Sequence, residues 1–192
     1  MSWTPDRRIA VCAAGAAALS ALLACASAAP ALIPRAGTRR ASSPSLSREG
    51  ERLLVHSHEL WATIDVCSPP DQHDTVGVRG SMPGDGHPHD SMWMSFRLQY
   101  MTAGRHWVDI TSAANPEWEL VGNGASARQG GSSFALKPDA SRAAARLRGV
   151  VDFQWRRGHT VLLSTAQPTT KGHKSLAGAD PANYSAAECM LG

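Results

Sequence analysis

Apolar and polar residues alternate with a period of two through the middle of the chain. Met92, Met94, Phe96, Leu98 and Tyr100 interleave with Trp93, Ser95, Arg97 and Gln99. An extended segment with this pattern buries one side and wets the other. Leu60, Ala62, Ile64 and Val66 alternate in the same way with Trp61, Thr63, Asp65 and Cys67. Leu147, Val151, Phe153 and Trp155 share a third parity, and Val161 and Leu163 resume it beyond Gly158. The segment VVDFQWRRGHTVLLS therefore predicts a hairpin, with Gly158 supplying the positive φ of a tight turn. Shorter strands are expected over His106–Ile110, Glu117–Val121 and Ser133–Leu136, punctuated by Asn115-Pro116 and Gly122-Asn123-Gly124. The one segment that reads as a helix is Ala140–Arg148, between Pro138 and Gly149. About seven short strands without βαβ alternation predict an all-β fold, an antiparallel β-sandwich.

The N-terminal pattern is different. MSWTPDRR precedes IAVCAAGAAALSALLACA, an apolar run without charge, and Ala26-Ser27-Ala28 follows. This is the three-part order of a secretory signal peptide, 1–28, cleaved after Ala28. A membrane anchor is the alternative, because the run borders the roughly 18 residues needed to span a bilayer. Leu22-Leu23-Ala24-Cys25 resembles the lipobox of bacterial lipoproteins, which makes Cys25 a candidate for lipidation. Residues 29–52 are rich in Pro, Ser, Ala and Arg and poor in large apolar groups, so a flexible tether is expected there. Residues 53–192 are long enough for one domain with a sizeable core.

Charge placement changes the choice of partner. Residues 53–192 hold 12 Lys/Arg against 13 Asp/Glu, so the chain's net +3 lies outside the expected domain. A nucleic-acid binder needs a basic face on the domain itself, and none is expected here. Envelope or extracellular proteins and glycans stay open as partners. Of four cysteines, Cys12 and Cys25 fall in the leader region, leaving Cys67 and Cys189. Two cysteines in an exported chain are expected to pair, which would tie the first strand to a C-terminal arm; two free thiols are the alternative.

FALKPDASRAAARLRGVVDFQWRRGHTVLLS resembles the E–F–G region of an immunoglobulin-like or fibronectin-III-like domain, with a strand, a corner, a long strand and its hairpin partner. The corner tyrosine of such domains is absent, and Ala145 or Leu147 stands near its place. GVRGSMPG and GADPANYSAAEC, with the leader, are similar to uncharacterised exported proteins of high-GC Gram-positive bacteria. That resemblance implies an extracytoplasmic protein and brings no catalytic residues.

Candidate chemistry is concentrated in GDGHPHD, Gly84–Asp90. In an extended segment His87 and His89 point the same way about 6.5–7 Å apart. Two such imidazoles can share a zinc or copper ion, with Asp85, Asp90 or the nearby His73-Asp74 as further ligands. A glutamate three or four residues on would complete a cupin-type motif, but Trp93 and Met94 stand there. The simpler reading is a polar loop with no cofactor. Gly122-Asn123-Gly124-Ala125-Ser126-Ala127 fits a dinucleotide fingerprint by letter only, because Arg128-Gln129-Gly130-Gly131 cannot open the required helix. No G-x-S-x-G elbow or P-loop is present, and no catalytic residue is proposed. Trp93, opposite the apolar face of its strand, is the candidate for stacking on a ligand such as a sugar. The expectation is thus an exported, non-catalytic β-sandwich acting by binding or as an envelope component. The alternatives are a metal-binding protein or metal-dependent enzyme using His87 and His89, and a glycan-binding module.

Overall fold

The computed structural model describes residues 45–110, 117–137, 144–174 and 176–192. The leader, Cys25 and the tether up to residue 44 lie outside these residues. The described chain holds one short helix and nine strands in two antiparallel sheets. The smaller sheet has the order β1 (Trp61–Cys67), β2 (Thr75–Met82), β6 (Arg128–Ala135). The larger runs β4 (Trp107–Asp109), β3 (Ser91–Met101), β7 (Ala145–Arg157), β8 (Thr160–Pro168). Two short strands extend it: β5 (Glu119–Asn123) pairs with β3, and β9 (Cys189–Leu191) pairs with β7. With β1, β2 and β6 as A, B and E, and β3, β7 and β8 as C, F and G, the order is that of an immunoglobulin-like sandwich.

The alternating residues fill the space between the sheets. Met92, Met94, Phe96 and Leu98 of β3 lie beside Leu147, Val151, Phe153 and Trp155 of β7 on the inner face of the larger sheet, and all eight are buried. Ala62, Ile64, Val76, Val78 and Met82 close the core from the smaller sheet. Each large side chain removed from water contributes about 1.5–3 kcal/mol. Tyr100, at the end of β3, leaves the core and is exposed. The β7–β8 hairpin turns at Gly158 with φ 58°, as its sequence requires. Its register shifts between Trp155 and Arg156, so Leu162 is the buried residue of β8 and Val161 faces out.

Two expectations fail locally. The helix expected over 140–148 is absent where it is described: Ala145–Arg148 opens β7, because pairing with β3 and β9 overrides the helix preference of alanine and arginine. The tether expected over 29–52 does not extend to its end. Arg48–Val55 forms helix α1, whose N-terminus is capped by Ser47 accepting from the Gly50 N–H, with Leu54 buried. Strand β2, absent from the segments expected by alternation, carries Gly77 and Gly80. A side-chain carbon at Gly80 would sit 2.9 Å from Val151 Cγ1. Glycine there lets the two sheets approach.

Cys67 and Cys189 form a disulfide across 122 residues of chain. It joins β1 in one sheet to β9 in the other. The C-terminal arm covers the free edge of β1: Ile64 exchanges both backbone hydrogen bonds with Ala186, and the Asp180 N–H donates to the Asp65 carbonyl. Thr63 Oγ1 meets Ser185 Oγ at 2.8 Å. Covering an edge in this way blocks further strand addition. Among the described residues, no helix is long and apolar enough to cross a membrane.

Candidate functional site

The Gly84–Asp90 loop joins β2 to β3, and it does not stand free in solvent. The Gly122–Gly124 turn at the end of β5 packs against it. The Gly86 N–H donates to the Gly124 carbonyl at 2.9 Å, and the Gly124 N–H donates to the Asp90 carbonyl at 2.8 Å. A side chain at Gly124 would fall on Asp85 Oδ1 and the His87 carbonyl. The second glycine pair singled out in the sequence is therefore a turn, and its lack of a side chain makes room for Asp85. Trp155 Nε1 donates to the Pro83 carbonyl at 2.9 Å, which ties the start of the loop to the core.

Inside this cradle Asp85, His87 and Asp90 converge, with one donor atom from each lying within 4.8 Å of the others. The Asp85 side chain is 1% exposed and that of Asp90 0%, whereas His87 is 59% exposed. Asp90 is held by Arg157, whose Nε and Nη2 donate to its two oxygens at 2.7 and 2.6 Å. Asp85 Oδ1 accepts from the His87 N–H at 3.0 Å, and His87 Nδ1 lies 3.0 Å from the Asp85 carbonyl. Among the described residues, none donates to Asp85 Oδ2. His89 is exposed and outside the cluster. Proline between the two histidines and the Asp90 N–H donating back to the His87 carbonyl close a turn, so the paired-imidazole geometry of an extended segment is not formed. His73 and Asp74 precede β2 and so lie a whole eight-residue strand away, about 25 Å.

Burial pushes the Asp85 carboxyl above the ordinary range, and the nearby Asp90 charge adds to it. The Arg157 guanidinium holds Asp90 below that range. The signs then oppose. The Asp90 contribution to stability is present above its unfolded pKa and is lost as pH falls. The Asp85 contribution is complete below its unfolded pKa and is lost as pH rises through its raised folded value. Asp85→Asn, which is neutral at every pH, should remove the loss on the alkaline side. Urea unfolding in chelator between pH 4 and 8 checks this; a variant whose stability falls with pH as steeply as the parent's would contradict it.

The second candidate surface is the outward face of the larger sheet. Trp93, Ser95, Arg97 and Gln99 of β3 pair across it with Gln154, Asp152, Val150 and Arg148 of β7. Arg97, Gln99, Arg148 and Asp152 form a connected ladder with Asp109 of β4. Arg97 donates to Asp152 at 3.0 Å and to Asp109 at 2.8 Å, and Gln99 bridges Asp109 to Arg148. Arg148 lies over the Trp107 ring at 4.4 Å. Arg156 sits near two rings, 4.5 Å from Trp93 and 5.2 Å from Trp118. Trp93 is half-buried, and its Nε1 donates to Ser91 Oγ at 2.9 Å. The expected stacking residue thus already carries a guanidinium on its ring. Arg148 and Arg156 each donate through Nε to a glutamine, and among the described residues neither has a carboxylate partner. Sequence parity places Trp93 on this face. It does not reveal Trp107 and Trp118, which are brought there by β4 and the approach to β5.

No family model, curated protein or solved structure matches this chain.

One further histidine draws attention away from GDGHPHD. His173 Nε2 lies 2.9 Å from Thr170 Oγ1, and the imidazole stacks on Trp61 with centroids 4.3 Å apart. Burial lowers its pKa, so the ring is neutral at neutral pH. A hydroxyl beside a neutral imidazole can begin a nucleophilic pair, but that chemistry also needs a group orienting Nδ1. Among the described residues none bonds to it. His173 instead fastens the arm, its N–H donating to Ser185 Oγ at 3.0 Å.

Proposed function

We propose that this chain is an exported, non-catalytic β-sandwich that works by binding an acidic polymer of the cell envelope on the outward face of its larger sheet. The observation that carries the reading is the pair of guanidiniums at Arg148 and Arg156. Each lies against tryptophan and is without an acid partner among the described residues. A guanidinium fixed on an indole keeps its outer nitrogens directed and has less rotamer entropy to lose on binding. Such a group suits the planar, bidentate recognition of carboxylate or phosphate. Gln99 and Gln154 supply neutral hydrogen-bonding groups beside them. The leader-like N-terminal pattern and the disulfide support an oxidising, extracytoplasmic setting. The indoles serve here as supports for cations rather than as open platforms for neutral sugars.

Tryptophan fluorescence of the oxidised protein, titrated with hyaluronate as a carboxylated glycan and with dextran as a neutral one, tests the reading. Binding to hyaluronate that weakens as salt is raised is expected, with no response to dextran. Arg148→Gln with Arg156→Gln should reduce the affinity about tenfold or more, in line with about 1.5–3 kcal/mol for a charge-assisted hydrogen bond. Equal binding of both glycans, or an unchanged double variant, would overturn it.

A further inference from the structure

We propose that Asp85, His87 and Asp90 form a binding site for one divalent transition-metal ion, with zinc the best fit, and that His89 takes no part. The site is separate from the sheet face above, and it is built rather than incidental. Its walls are the Gly84–Asp90 loop and the glycine turn at Gly124, fastened by two backbone hydrogen bonds and by Trp155 at the loop's entry.

The observation that points to a cation is the unpartnered oxygen of Asp85. Its side chain is 99% removed from solvent, yet Oδ2 accepts no hydrogen bond among the described residues and lies 3.8 Å from His87 Nδ1. A buried carboxylate oxygen without a donor is costly. A second carboxylate, Asp90, faces the same point, and two buried acids need a positive charge or a proton between them. Arg157 supplies one charge but is spent on Asp90. It uses two of the roughly four acceptor positions of that carboxylate and leaves the others free.

Donor chemistry selects the ion. Two carboxylates and one imidazole form the mixed oxygen and nitrogen set that zinc accepts at about 2.0–2.2 Å, with water completing four-coordination. Ligand atoms around such an ion stand about 3.4 Å apart. The three atoms here, all within 4.8 Å of each other, need move inward by less than the length of a bond. His87 is exposed at the rim, so an ion has a path in. Calcium prefers six to eight oxygens and finds too few here.

The full-length protein, stripped with chelator and titrated calorimetrically with ZnCl2 and separately with CaCl2 at neutral pH, gives the test. One zinc per chain with a dissociation constant of about 10 μM or tighter is expected, with no measurable calcium binding. Asp85→Asn and His87→Ala should each weaken zinc about tenfold or more, while His89→Ala leaves it unchanged. Circular dichroism of each variant verifies that it is folded, and His87, being exposed, keeps the test alive should Asp85→Asn fail to fold. Absence of zinc binding overturns the proposal. So does equal loss in His89→Ala, which would mark an ordinary histidine pair on the surface, and so does zinc binding that survives Asp85→Asn. None of these outcomes bears on the hyaluronate titration.

Discussion

Replacing both Cys67 and Cys189 by alanine is expected to lower the unfolding free energy by about 5 kcal/mol. The bond closes 122 residues, and the entropy that such a closure removes from the unfolded chain gives this magnitude. Domains of this size have a net stability of roughly 5–15 kcal/mol, so the loss takes a large share of it. The location adds to the effect. Cys67 ends β1 in the smaller sheet, and β9, which holds Cys189, is only three residues long. Without the bond little fixes β9 to the edge of β7 beyond its ladder there and the buried Leu191. Denaturant unfolding of oxidised protein against the double variant measures the difference. A change below about 1 kcal/mol would show that the arm is held by its hydrogen bonds alone.

Trp155→Ala is expected to cost about 4 kcal/mol, within the range for removing a large aromatic from a core. Trp155 is fully buried among the largest side chains of the core. Its indole also provides the donor for the Pro83 carbonyl, so truncation leaves a cavity and an unmet acceptor together. Trp155→Phe refills most of the volume without the donor and should lose less than half as much. The gap between the two variants, read from urea midpoints, separates packing from the hydrogen bond. Equal losses would mean that the Pro83 contact decides the stability. The Asp85 cluster follows Pro83 directly, so the alanine variant should also loosen the loop, visible as faster amide exchange at Gly86 and Asp90.

How far the sequence discloses this molecule depends on which residues are asked to speak. β3, β7 and the Gly158 hairpin are legible because their side chains alternate without interruption and one face is wholly buried. The cysteine pair is legible by its position in the chain. β2 is hidden because Gly80 interrupts the apolar parity of Val76, Val78 and Met82, and two glycines with Arg79 weaken the strand preference. They are selected by contacts with Asp65, Val66, Val151 and Phe153, which belong to other strands. Ala145–Arg148 misleads for the reverse reason: local preference favours a helix, and long-range pairing with Gln99 and Cys189 overrules it. At the candidate site, GDGHPHD draws the eye to its two histidines. The fold selects one of them and two buried acids, because the loop turns at Pro88 and folds under the Gly124 turn. No local pattern announces Arg157 as the partner of Asp90, since the two are brought together only by the register of β7 with β3.

The arm along β1 also governs how molecules meet one another. Its hydrogen bonds to Ala62, Ile64 and Asp65 are made by backbone groups, which any second copy offers equally well. While the sulfurs are joined, each chain's own tail is always the nearest, and its effective concentration excludes a stranger's. Once they are reduced, tails can be traded between neighbours, and two open molecules can complete each other. The joined sulfurs thereby keep each molecule's edge under its own tail as well as raising the cost of unfolding.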